Sequence, residues 1–236
     1  YWIVQGAFAW LILPLLGALL AVPEGHCLCE LVSSENSFNI GMTILFGVLW
    51  GVGGLTFGLS MRYLGVALGQ SIALGTCAGL GTVMGPILLN IFFPEQGALA
   101  SLTTSVLLGV AVTLLGIAII GIAGSMKAST LSEEEKKAAV KDFNFPRGIV
   151  IALLAGFMSG CFNVGLAFGE GINFGDLTPD MFKTLPATFL VTLGGFATNA
   201  IYCFYQNHKN GTWSDYRKGN VWINNLFFCV LAGALW

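Results

Sequence analysis

Seven apolar runs of about helix length follow one another along this chain, at about 1–22, 40–60, 64–91, 102–125, 148–169, 186–205 and 221–236. None carries a lysine, arginine, aspartate or glutamate in its middle. Lipid offers no partner for a backbone N–H or C=O, so a chain of this kind crosses a bilayer as helices or as a closed barrel. The runs lack the alternation of barrel strands, which repeat about every 10 residues, and they predict an all-α, polytopic transmembrane helix bundle. Composition agrees: charged residues make up 9% and apolar types 56% of the chain, with a mean hydropathy of +0.80. The last run differs. Its 16 residues cover only about 24 Å, short of a hydrocarbon layer of ~30 Å, and Tyr1 opens inside an apolar run. We expect a chain incomplete at both ends.

Loop charges suggest an orientation. Arg62, then Lys127, Lys136, Lys137, Lys141 and Arg147, then Lys209, Arg217 and Lys218 fall in alternate loops and supply nine of the 10 basic residues. The other loops hold Glu24, Glu30, Glu35, Glu95, Glu170, Asp176 and Asp180, with Lys183 alone opposing them. The positive-inside rule puts the first set in the cytoplasm, so the first run goes from inside to outside. A net charge of -2 without a basic surface gives no reason to expect a nucleic-acid partner. EEEKKAAVK (133–141) has charges at helical pairing distance and predicts a short surface helix in the longest inner loop.

Glycine marks the helix interfaces. Gly47, Gly51, Gly54 and Gly58 fall on one stripe of a 3.6-residue period, and the next run holds Gly65/Gly69, Gly75/Gly79 and Gly81/Gly85 at four-residue spacing. In lipid, such small residues let helix backbones approach closely, and these runs predict tightly packed, sliding helices. Arg62 is expected in a two- to three-residue inner turn, as a topology anchor or as part of an inner gate.

Polar groups at membrane depth are few, and they face other helices or a wet cavity. Thr188, Thr192, Gly195, Asn199 and Tyr202 form a stripe on the sixth run. Asn163 shares a face with Gly156 and Gly160, the third run offers Gln70 and Thr76, and Trp50 sits in mid-span. Such groups either tie helices together or meet a ligand. As a set, Trp50, Gln70, Thr76, Asn163, Asn199 and Tyr202 suit a small neutral polyol, because an amide both donates and accepts while an indole covers the C–H face of a sugar ring. No carboxylate lies well inside a run, and Glu170, at the end of the fifth, is the nearest candidate for proton coupling.

The remaining motifs carry less. GLGTVMG (79–85) lacks the spacing and context of a nucleotide loop, and Asn210-Gly211-Thr212 is a chance sequon on the inner side. His26, Cys27 and Cys29 offer too few ligands for a metal, and a disulfide between such close neighbours is expected to be strained. No cofactor or metal is expected. No nucleophile stands beside a base, which leaves no intramembrane enzyme to propose.

FGVLWGVGGLTFGLSMRYLGVALGQSIALGTCAGLGTVMGPIL (46–88) resembles the third and fourth spans of the bacterial L-rhamnose/proton symporter family, in the drug/metabolite transporter superfamily. WLILP (10–14) is similar to its second span and LAGALW (231–236) to the start of its eighth. The resemblance implies ten spans in two inverted five-helix halves. The expected division is then 1–125 for the first half without its first span, 126–147 for a cytoplasmic loop, and 148–236 for part of the second half. It further implies uptake of L-rhamnose with protons across the bacterial inner membrane. Another carrier of the superfamily, for a different metabolite, an amino acid or a drug, is the alternative.

Overall fold

The computed structural model describes residues 1–33, 37–130, 142–217, 219 and 222–235. These residues form helices and connecting turns: α1 (Trp2–Leu20), α2 (Leu28–Ser33), α3 (Ser37–Leu64), α4 (Val66–Phe92), α5 (Thr104–Thr130), α6 (Phe145–Gly169), α7 (Leu185–Asn210) and α8 (Trp222–Leu235). Among the described residues, six helices are long and apolar enough to cross a membrane, and α8 is shorter. The surface helix expected at 133–141 lies outside the described residues.

Two local features shape the spans. In α1 the backbone widens to a π-helix over Ala7–Ile12, just before Pro14. Proline has no N–H for the carbonyl four residues earlier and its ring clashes there, so the turn containing Trp10 cannot keep regular α bonding. Between α3 and α4 the turn is tighter than expected. Helix α3 runs through Arg62 to Leu64, and Gly65 alone, at φ 83°, reverses the chain, a conformation open to glycine at no steric cost. Arg62 therefore occupies the last helical turn and not a loop. Gly65 is likewise a turn residue, not half of a packing pair.

The chain divides into two compact units, Tyr1–Gly51 with Phe168–Trp236, and Val52–Ala167. In the first, α3 and α7 press backbone on backbone. A side chain at Gly47 would strike the carbonyl of Val191, and one at Gly194 the carbonyl of Ile44. Thr198 fixes the register by donating to the Val48 carbonyl at 3.0 Å. Gly169 packs on Ala187, whose Cβ lies 2.6 Å from where its own would stand. Phe46 stacks on Phe168 with ring centres 5.7 Å apart. Helix α8 rests on α1 through Gly233, against the Gln5 carbonyl. Leu31, Ile172 and Leu190 form a core beneath the loops.

In the second unit α4 crosses α6 at Gly81 and Gly160, where a Cβ on Gly81 would lie 3.3 Å from the Gly160 Cα. Gly156 meets the Ala73 carbonyl in the same way, at 2.6 Å. Leu64, Ile72 and Ala152 form its core. Helix α5 joins α4 through Ile117 on Gly75 and Leu68 on Gly124, and it exposes Leu108, Val112, Leu115, Ile119 and Ile122, a face suited to lipid tails. The expected glycine stripe of α3 is only half used: Gly47 and Gly51 are packed, while Gly54 and Gly58 have nothing within 4 Å of a notional Cβ.

Candidate substrate site

Local chemistry first removes several polar groups from contention. Thr188 and Thr192 donate to Thr184 and Thr188 carbonyls of their own helix, each at 2.9 Å, so their hydroxyl protons are spent locally. The predicted polar stripe of α7 thus narrows to Asn199 and Tyr202. Asn199 is buried, at 4% exposure, and sits in mid-helix. Its amide donates to the Gly195 carbonyl at 2.9 Å and reaches the Gly51 carbonyl of α3 at 3.4 Å. Its Oδ1 accepts the indole N–H of Trp2 at 3.0 Å.

Three indoles gather on the same side. Trp2 meets Trp10 edge to face with centres 5.4 Å apart, and Trp10 meets Trp50 in the same manner at 5.8 Å. Two glycines make room for them. A Cβ at Gly6 would stand 2.9 Å from the Trp10 ring, and one at Gly195 would overlap the ring of Trp50. The widened turn of α1 carries Trp10 into this cluster. The result is an amide with three aromatic faces, of which Trp10 is buried, Trp50 half-buried and Trp2 44% exposed. A planar amide beside indole faces matches hydroxyls on one side and C–H groups on the other.

The predicted residues are therefore distributed. Asn199 and Trp50 come together. Tyr202, a turn further along α7, is exposed, and its hydroxyl accepts from Gln206 at 2.8 Å. In the second unit Thr76 is buried against Gly156 and its hydroxyl has no hydrogen-bond partner among the described residues. Asn163, exposed, has its amide nitrogen 2.7 Å from where a Gly81 Cβ would lie, and Gln70 is exposed in the second turn of α4. Trp2 and Trp10 were not foreseen. Their signal was the i, i+8 spacing of two tryptophans in one span, which does not by itself distinguish a ligand face from packing.

Arg62 forms an ion pair with Asp142 at 2.6 Å, with its side chain two-thirds exposed. Beside it the Asn144 N–H donates to the Tyr63 carbonyl at 3.1 Å, and Arg147 lies over the Tyr63 ring at 5.7 Å. The end of α3 is thus tied to the start of α6. Glu170 is exposed just beyond α6. Cys27 and Cys29, whose Cα atoms are 5.2 Å apart, are joined in a disulfide. Among the described residues no group of three metal-ligating side chains occurs. Glu30 lies close by, and His26 at 2.8 Å holds its carboxyl below the usual range.

Comparison with known proteins places the chain among sugar carriers. L-rhamnose-proton symporters of Yersinia pestis bv. Antiqua (strain Antiqua) and Yersinia pseudotuberculosis serotype O:1b (strain IP 31758) are each 31% identical to this chain over 252 residues. The match covers 100% of this chain, which spans 68% and 67% of theirs. No solved structure matches. Matched over residues 1–236, the chain belongs to the family of L-rhamnose-proton symport proteins (RhaT), which are transporters and not enzymes.

Proposed function

We propose that this protein takes up L-rhamnose with a proton by alternating access, as a multi-pass carrier of the bacterial inner membrane. One observation carries the proposal: the family match extends over the whole chain, 1–236, and the relatives from both Yersinia species bear the symporter's name. A carrier for another metabolite, an amino acid or a drug is not favoured by these relatives. The energetics suffice. One charge falling through 100 mV releases ~2.3 kcal/mol, which concentrates a neutral sugar several tens of fold.

On this reading the sugar's C–H face lies on the indoles of Trp2 and Trp50, and one of its hydroxyls takes over Oδ1 of Asn199 from the Trp2 N–H. The trade keeps the Asn199 amide paired, and the released Trp2 N–H, on a ring 44% exposed, turns to water or to a sugar oxygen, so the cost is small. Tyr202 is a further polar contact on the sugar's path, and Gln70, Thr76 and Asn163 of the second unit are sugar-contact candidates by their chemistry alone. The glycine seams of α3 with α7 and of α4 with α6 are the surfaces along which helices slide. The loop charges orient the Arg62 and Arg147 end toward the cytoplasm and Glu170 outward, where its carboxyl passes the proton between water and the transport path. The inverted halves 1–125 and 148–236, joined by 126–147, supply the two moving parts.

The test is sugar-evoked proton movement. Addition of L-rhamnose to unbuffered, energy-depleted cells expressing the protein is expected to alkalinise the medium, and Glu170→Gln to abolish that signal while sugar exchange persists. No alkalinisation with the unaltered protein contradicts symport. Full alkalinisation in Glu170→Gln leaves symport standing and returns Glu170 to a solvated helix-end residue.

A further inference from the structure

Beyond Asn199, the end of α7 helps to line a separate cavity. A cavity of about 230 Å³ is lined by Tyr1, Asn207, Thr212, Asp215 and Tyr216. It lies where α7 ends and the 3-10 segment Thr212–Arg217 turns away. The lining is already ordered. Thr212 donates to Oδ1 of Asn207 at 2.8 Å, and the Asn207 amide donates to the Tyr216 hydroxyl at 3.0 Å. The rings of Tyr1 and Tyr216 are 5.6 Å apart and tilted by 53°, and Trp213 stacks behind Tyr216 at 6.3 Å.

That chemistry is specific in kind. Asn207 keeps a second amide hydrogen and a second carbonyl lone pair, Tyr216 keeps a hydroxyl proton to give, and Asp215 contributes a carboxylate that accepts. Among the described lining residues the charged side chain is the carboxylate of Asp215, which disfavours a phosphate or a carboxylate ligand. Phenol rings supply the C–H contact surface. Amide, hydroxyl, carboxylate and aromatic ring together recognise a neutral monosaccharide. Position adds a role: Asn207 follows Asn199 by eight residues of one helix, about 12 Å of rise, with Tyr202 between them.

We infer that this cavity is a second, weaker monosaccharide subsite, at which the sugar rests on the cytoplasmic side after leaving Asn199. The inference builds on the transport reading above. Equilibrium binding of labelled L-rhamnose to the intact purified protein tests it, with Tyr216→Phe and Thr212→Val as variants that keep shape and remove only hydrogen-bonding groups. Two sites per chain are expected, the weaker losing about tenfold in affinity in each variant while the tighter one is unchanged. In parallel, the rhamnose-dependent change in fluorescence at the weaker site is expected to vanish in Trp213→Phe. A single site, equal in the unaltered protein and the variants, overturns the second subsite and leaves rhamnose transport intact. No rhamnose binding to the unaltered protein overturns the transport reading, and the subsite with it.

Discussion

The indole N–H of Trp2 donates to the side-chain carbonyl of Asn199 at 3.0 Å, joining residues 197 positions apart in the chain. The bond shows how the buried amide is kept satisfied, and on the transport reading proposed above it is the one that a sugar hydroxyl would replace. Asn199→Ala is expected to lower L-rhamnose uptake roughly tenfold, the loss of one to two neutral hydrogen bonds. Trp2→Phe is expected to cost less, because it keeps an aromatic face and leaves Oδ1 available. Thr104→Ala, at the exposed start of α5, sets the baseline and changes uptake less than twofold. Equal effects of Asn199→Ala and Thr104→Ala, measured as initial rates at matched expression, contradict a role for the amide in transport.

Backbone contact between α3 and α7 leaves no room for a methyl group. Gly47→Ala and Gly194→Ala each place a Cβ onto a carbonyl of the opposing helix, and overpacking of that kind costs about 1–3 kcal/mol. Both are expected to lower the unfolding temperature in detergent. Gly109→Ala and Gly116→Ala, whose notional Cβ atoms meet nothing within 4 Å, are expected to leave it unchanged or raise it slightly. The comparison separates packing from the helix propensity of glycine.

Arg62 and Asp142 pair in the open, where solvent screens them and neighbouring contacts at Tyr63 hold the same two helices. Arg62→Gln is expected to change initial uptake less than threefold. A loss above tenfold that is restored by combining Arg62→Asp with Asp142→Arg identifies the pair as a gate and contradicts the anchoring role.

Glu30, in the first turn of α2, is expected to give that short helix a pH dependence. Its carboxyl accepts from His26 and from the Cys27 N–H, and the His26 bond is the main cause of its lowered pKa. A depressed carboxyl stabilises the folded helix α2 at pH above its ordinary titration range. That contribution is lost as pH falls through the depressed value. Thermal midpoints of the unaltered protein and Glu30→Gln are expected to differ near neutral pH and to converge at the acid end. Parallel curves throughout contradict the linkage.

What the sequence made legible follows from what lipid enforces. The spans could be read because backbone pairing in hydrocarbon requires long apolar helices, and the shortness of the last helix was visible by counting residues. The partners of particular side chains could not be read. Asn199 meets Trp2 only because α1, α3 and α7 converge, and a local pattern does not encode that convergence. The half-used glycine stripe has the same origin: spacing puts Gly54 and Gly58 on the face of Gly47 and Gly51, but only a neighbouring helix decides which of them is covered. Gly65 and Arg62 changed places between turn and helix because one glycine at positive φ suffices to reverse the chain. Cys27 and Cys29 paired because the start of α2 brings their Cα atoms to 5.2 Å.

Accumulation of labelled L-rhamnose by proteoliposomes holding the intact protein measures the central claim most directly, with an inward proton gradient imposed, absent, or collapsed by an uncoupler. Uptake above the external concentration is expected only while the gradient lasts, with decay to equilibrium on adding the uncoupler. Accumulation indifferent to the gradient, or equilibration alone under every condition, contradicts proton-coupled uptake of this sugar.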